Sequence, residues 1–157
     1  MDDEAAMDLA LGEATRALAH GDVPVGAVVL VDGQVVACRH NERELQSDPT
    51  AHAEVLALRD AATVVADGWR LENATLVVTL EPCPMCAGAA LAARISRLVF
   101  AAADLRGGAC GSVYNMCTDP RLGHEIYLRI GVRAPEAAAL LAAFFGDLRG
   151  SGSTDVQ

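Results

Sequence analysis

Pro49-Thr50-Ala51-His52-Ala53-Glu54 is answered downstream by Glu81-Pro82-Cys83-Pro84-Met85-Cys86. The first stretch offers an imidazole and, two residues on, a carboxylate; the second offers two thiols in Cys-x-x-Cys spacing. One His and two Cys form the ligand set of a catalytic zinc whose fourth position stays open for water. A structural zinc would take a fourth protein ligand, and the chain has no second Cys-x-x-Cys and no His-x-x-x-His. Glu54 is then left uncoordinated beside the metal, placed to carry protons for a catalytic water. The bland alternatives are a redox pair of cysteines or a zinc-stabilised binding module. The His-x-Glu element tells against both, because neither has a use for an uncoordinated acid.

Working outward, Thr50 reads as the N-cap of a helix from about Ala51 to Ala62, with Ala53, Leu56, Ala57 and Val64 on its buried side. Around a helix axis His52 and Glu54 stand about 200° apart, so they can serve one site only where a first turn faces a cavity. Pro82 and Pro84 mark the entry to a second helix running to about Ala93, since proline fits a first turn. Cys83 and Cys86 share a face there. Both helices would aim their positive ends at the metal, which favours thiolates.

Upstream, Ala6, Leu9, Ala10, Ala14, Ala17 and Leu18 fall at helical spacing over residues 5–20, up to Gly21. Residues 27–31 and 34–40 read as a hairpin about Asp32-Gly33. Residues 74–79 and 97–102 read as third and fourth strands, and a fifth falls around Glu125 to Ile130. Ser112 is placed to cap a short helix after a glycine-rich loop from Asp104 to Gly111, and residues 134–148 form a closing helix. Alternating strands and helices give a three-layer α/β domain over residues 1–149, with 150–157 a disordered tail.

Composition narrows the classes. The chain of 157 residues is 52% apolar, enough to bury a core, and no apolar run approaches the ~20 residues that span a bilayer. The acidic Met1-Asp2-Asp3-Glu4 lacks the features of a signal peptide. Five cysteines, an odd number with two given to metal, argue for a reducing compartment and a cytoplasmic location. Net charge is −9, yet residues 94–149 hold seven Arg against five acids. There is no Lys, so every cation is a guanidinium, suited to phosphate contacts and base stacking. His20, His40 and His124 lack ligand partners at a recognisable spacing, and Cys38, Cys110 and Cys117 read as small core or loop residues.

Asp22-Val-Pro-Val-Gly-Ala27, Asp48-Pro-Thr-Ala-His-Ala-Glu54, Thr79-Leu-Glu-Pro-Cys-Pro-Met-Cys-Ala-Gly88 and Arg94-Ile-Ser-Arg-Leu-Val-Phe100 resemble the bacterial tRNA-specific adenosine deaminases, a branch of the cytidine deaminase superfamily. So do the loop 104–112 and the late Ala139-Leu-Leu-x-x-Phe-Phe145. The zinc motif alone indicates the superfamily; the flanking pieces are specific to the tRNA branch. The resemblance implies a three-layer α/β/α cytidine-deaminase-like fold with a five-stranded mixed sheet, one zinc and a catalytic water per subunit, and a homodimer. It implies conversion of adenosine to inosine at wobble position 34 in the anticodon of an arginine tRNA. By motif match His52, Cys83 and Cys86 are ligands and Glu54 the proton shuttle. Asn41, Asp104, Phe144 and Phe145 fall where the family meets its substrate. Read from the residues alone, Asn41 also fits a turn residue, Asp104 a loop cap, and at least one phenylalanine core packing. Arg106 stands where Lys is common in the family, and the closing helix lacks a basic cluster. A deaminase of free guanine, cytosine or a nucleoside would share the zinc chemistry.

Overall fold

The computed structural model describes residues 1–65 and 68–152. Helix α1 (Asp3–Ala17) begins earlier than its apolar spacing indicates, because the Asp2 carboxylate accepts the Ala5 N–H at 2.8 Å and caps it. A 3₁₀ turn, Leu18–His20, ends at Gly21 with φ 75°. Strands β1 (Gly26–Val31) and β2 (Gln34–His40) pair through Asp32 and Gly33. Both turn residues have positive φ, 50° and 75°, the type I′ geometry that matches strand twist. Next come a short α2 (Arg43–Gln46), α3 (Ala53–Val64), β3 (Ala74–Leu80), α4 (Pro84–Ala92), β4 (Arg97–Ala102), β5 (Tyr127–Ile130) and α5 (Ala134–Gly152).

The sheet order is β2-β1-β3-β4-β5, antiparallel across β2, β1 and β3 and parallel across β3, β4 and β5. The central strands read as near-continuous apolar runs because both faces are covered. Val29, Leu76, Val78, Leu98 and Phe100 pack with Ala53, Ala57, Ala87 and Ala90 of α3 and α4. Their alternates Val28, Val77, Val99 and Ala101 pack with Met7 and Ala10 of α1 and Ala137 of α5. This is the expected three-layer α/β/α arrangement. Gly26 lets α1 lie directly on β1, since a Cβ there would fall 1.9 Å from the Ala10 carbonyl oxygen.

Several local expectations are corrected. Thr50 does not cap α3: its hydroxyl and N–H both bond the Asp48 carboxylate, and His52 becomes the N-cap. Ser112 caps no helix. Leu9 and Leu18, part of the apolar spacing of the first helix, and Val64, assigned to the buried side of α3, are exposed. Helix α5 continues past Leu148 to Gly152, and the rest of the expected tail, residues 153–157, lies outside the described residues. Among the described residues no helix is long and apolar enough to cross a membrane.

Candidate active site

Helices α3 and α4 begin side by side, and each opens on a candidate ligand. His52 is the N-cap of α3 with extended backbone (φ −75°, ψ 148°), and Cys83 is the N-cap of α4 (φ −72°, ψ 172°). An extended N-cap points its side chain away from the helical spiral, which removes the conflict between His52 and Glu54. Pro84 follows at the first helical position and Cys86 completes the turn. The His52 side chain makes no capping bond to its own helix, so it remains available to a ligand.

His52 Nδ1 lies 3.6 Å from Cys83 Sγ and 3.4 Å from Cys86 Sγ, and the three ligand atoms lie within 4.8 Å of one another. Bonds of ~2.3 Å to sulfur and ~2.0 Å to nitrogen at a tetrahedral angle place such atoms about 3.5 Å apart, so the trio fits a tetrahedral metal such as zinc. Hydrogen bonding from Cys86 and then from His52 pulls the Cys83 thiol down to about 4. The Cys86 thiol is pushed up by its bond to Cys83 and by burial. The bond to Cys83 raises His52. Among the described residues this is the one His, Cys and carboxylate cluster arranged to hold a metal.

Glu54, in the first turn of α3, is 4% exposed and hydrogen-bonded to Cys86. Burial pushes its carboxyl above the usual range. A buried acid beside a metal-binding trio can take up and release a proton in place.

The other candidates form two neighbouring groups. Asn41 is buried at the start of α3: its Oδ1 accepts the Ala53 N–H at 2.8 Å and its Nδ2 donates to the Val23 carbonyl at 3.1 Å. It lines a cavity of about 230 Å³ with Val23, Arg43, Phe144 and Phe145. Phe144 is half-buried, Phe145 is 43% exposed, and their rings meet edge to face at 5.3 Å. Asp104 caps its own loop, its Oδ1 accepting the Arg106 and Gly107 N–H groups at 3.1 Å. It also lines a larger cleft, about 690 Å³, shared with Val23, Arg106, Phe145 and Arg149. Val23 and Phe145 belong to both spaces.

Two further acids, outside the candidate site residues, shape this region. Asp22 accepts the Glu44 and Leu45 N–H groups and so starts α2, whose Arg43 and Glu44 line the Asn41 cavity. Glu81 gathers the loop 104–112, as described below. Glu81 closes an apolar strand and Asp22 precedes one, and the backbone donors of both lie 22 to 31 residues along the chain.

The profile of the cytidine and deoxycytidylate deaminase zinc-binding region matches residues 1–102. A tRNA-specific adenosine deaminase of Bacillus subtilis is 44% identical over 94% of this chain and 91% of its own. The chain belongs to the zinc-dependent deaminase family, among the tRNA-specific adenosine deaminases. Membership makes it a hydrolytic deaminase and agrees with the trio found at the paired helix starts. A solved structure from work on A-to-I editing by tRNA:A34 deaminases superposes with a TM-score of 0.83 at 41% identity, covering 87% of this chain and 99% of that one. The guanine deaminase of Nitrosomonas europaea shares the fold more distantly, with a TM-score of 0.77 at 25% identity over 91% of this chain and 84% of its own.

Proposed function

We propose that the chain deaminates adenosine to inosine at wobble position 34 in the anticodon of an arginine tRNA, as a cytoplasmic homodimer with one zinc per subunit. The observation that carries the chemistry is the buried Glu54 beside His52, Cys83 and Cys86. Support for the substrate comes from the relatives, which are named for tRNA-specific adenosine deamination and A34 editing.

Zinc, when bound, supplies a Lewis acid that lowers the pKa of a water from ~15.7 towards ~7. Glu54 accepts the proton of the attacking water and passes it to N1 of adenine as the C6–O bond forms. It then delivers the second proton to N6 as the C6–N6 bond breaks, so that adenosine and water give inosine and ammonia. His52 and the two cysteines hold their positions through the rigid starts of α3 and α4, and Asn41 fixes the start of α3 through Ala53. The base reaches this site only if unstacked, which suits a splayed anticodon nucleotide. Asn41, Asp104, Phe144 and Phe145 border the two spaces that would take the anticodon loop, with exposed Phe145 the stacking surface.

The likeness to a guanine deaminase favours one rival, a free purine base as substrate. Purified protein should be offered guanine, cytosine, adenosine and an arginine-tRNA anticodon stem-loop in parallel. Turnover of the stem-loop alone supports the proposal. Faster release of ammonia from guanine by a monomer would replace it with the small-molecule reading.

A further inference from the structure

Glu81 sits immediately before the Pro82-Cys83 turn and is 2% exposed. Its carboxylate takes four hydrogen bonds, all from one stretch of chain far downstream. Oε1 accepts the Asp104 N–H at 3.2 Å and the Ser112 hydroxyl. Oε2 accepts the N–H groups of Cys110 and Ser112, each at 3.1 Å. The backbone completes the contact, with the Ala109 N–H donating to the Pro82 carbonyl at 2.8 Å. Gly108 shows how tightly the loop is drawn in: a Cβ there would lie 2.2 Å from Glu81 Oε2 and 2.6 Å from the Asp104 carbonyl oxygen.

Only a carboxylate meets this pattern. It accepts at both oxygens and donates nothing, and four donors converge on it. In Gln one oxygen becomes an NH₂ group facing N–H donors, leaving buried groups unpaired. The bonds join two parts with different tasks, the turn that presents Cys83 and the loop that presents Asp104 and Arg106 to the large cleft.

We propose that Glu81 is a positioning residue for the RNA: it fixes loop 104–112 against the Pro82-Cys83 turn, setting the register between the RNA-facing side chains and the reacting centre. This rests on the reading, given under Proposed function, of the cleft as the anticodon site. It differs from a general fold clamp in what it affects, which is substrate capture rather than metal retention or the chemical step.

The test uses the zinc-loaded full chain and the variants Glu81→Gln and Ser112→Ala. Trypsin cleavage after the exposed Arg106, zinc content, and kcat and KM on the anticodon stem-loop are measured. For Glu81→Gln we expect cleavage and KM each to rise about tenfold, with zinc retained and kcat within about threefold. Ser112→Ala, which removes one donor and leaves the carboxylate, should move both the same way by about two- to threefold. Unchanged cleavage overturns the tether. Faster cleavage with unchanged KM, or zinc loss with a lower kcat at constant KM, overturns the positioning role. If Glu81→Gln does not fold, Ser112→Ala decides by the same criteria. A wild-type chain inactive on the stem-loop would instead sink the substrate reading, while the cleavage comparison still judges the tether.

Discussion

At residue scale the division of labour between ligand and acid leads to opposite expectations for two variants. Glu54→Ala removes the proton carrier but no ligand, so zinc content and stem-loop binding should persist. Turnover should fall by about 10²–10⁴-fold, and residual activity above a tenth would assign the proton transfers elsewhere. Cys83→Ala removes a ligand that ties two helix starts together, so elemental analysis should show zinc lost and the melting temperature lowered. Full zinc retention would contradict the assignment. These four residues were legible in the sequence because each half of the motif is contiguous and local helix chemistry decides its geometry. The hydrogen bonds of Asn41 and Glu81 were not, because their partners lie 12 to 31 residues away. Asn41 is a structural brace and a cavity wall at once, so the two readings of it are not exclusive.

Among the elements, α1 is fastened to the parallel side of the sheet by one acid. Asp3 receives Arg97 through its two terminal guanidinium nitrogens, at 2.6 and 2.5 Å, and Arg129 at 2.5 Å. The bond to Arg97, then the nearby charge of Arg97 and Arg129, holds the Asp3 carboxyl below its ordinary value despite burial. A depressed acid stabilises the fold above the unfolded value, 3.8, and loses that contribution as pH falls through the lower folded value. Asp3→Asn should therefore cost about 2 kcal/mol at neutral pH, allowing for the half-exposed Arg129, and the gap should narrow as pH falls below about 4. A denaturant series at pH 7 and pH 3 checks this; a gap independent of pH would contradict it. In the sequence Met1-Asp2-Asp3-Glu4 registered only as negative charge, because its partners lie 94 and 126 residues on. Strand β5 was the least legible for a related reason. It is short and largely exposed, and its parallel pairing with β4 rather than an apolar pattern defines it.

For the whole molecule, charge counting located an Arg-rich second half but could not pair the charges. The fold commits Arg97 and Arg129 to Asp3, Arg121 to Asp119, and Arg133 to Asp8 and Glu136. Arg94 lies 5.8 Å from the Trp69 ring centroid. Arg106 and Arg149 line the large cleft. The guanidinium groups of this half that are suited to phosphate contacts thus narrow to this cleft and its rim. With so few cations there, stem-loop affinity should fall with salt at a log–log slope of only about −1.5, roughly two phosphate contacts at −0.7 each. A slope steeper than about −4 would require a basic surface outside the cleft.

The central claim is that Glu54 and the His52, Cys83 and Cys86 trio turn one adenosine of an anticodon loop into inosine with oxygen from water. The most direct measurement is position-resolved mass spectrometry of an arginine-tRNA stem-loop after incubation with the zinc-loaded chain in ¹⁸O water. The account predicts a single inosine at position 34 carrying one ¹⁸O, absent with Glu54→Ala. An unmodified stem-loop, or inosine formed equally by Glu54→Ala, would contradict it.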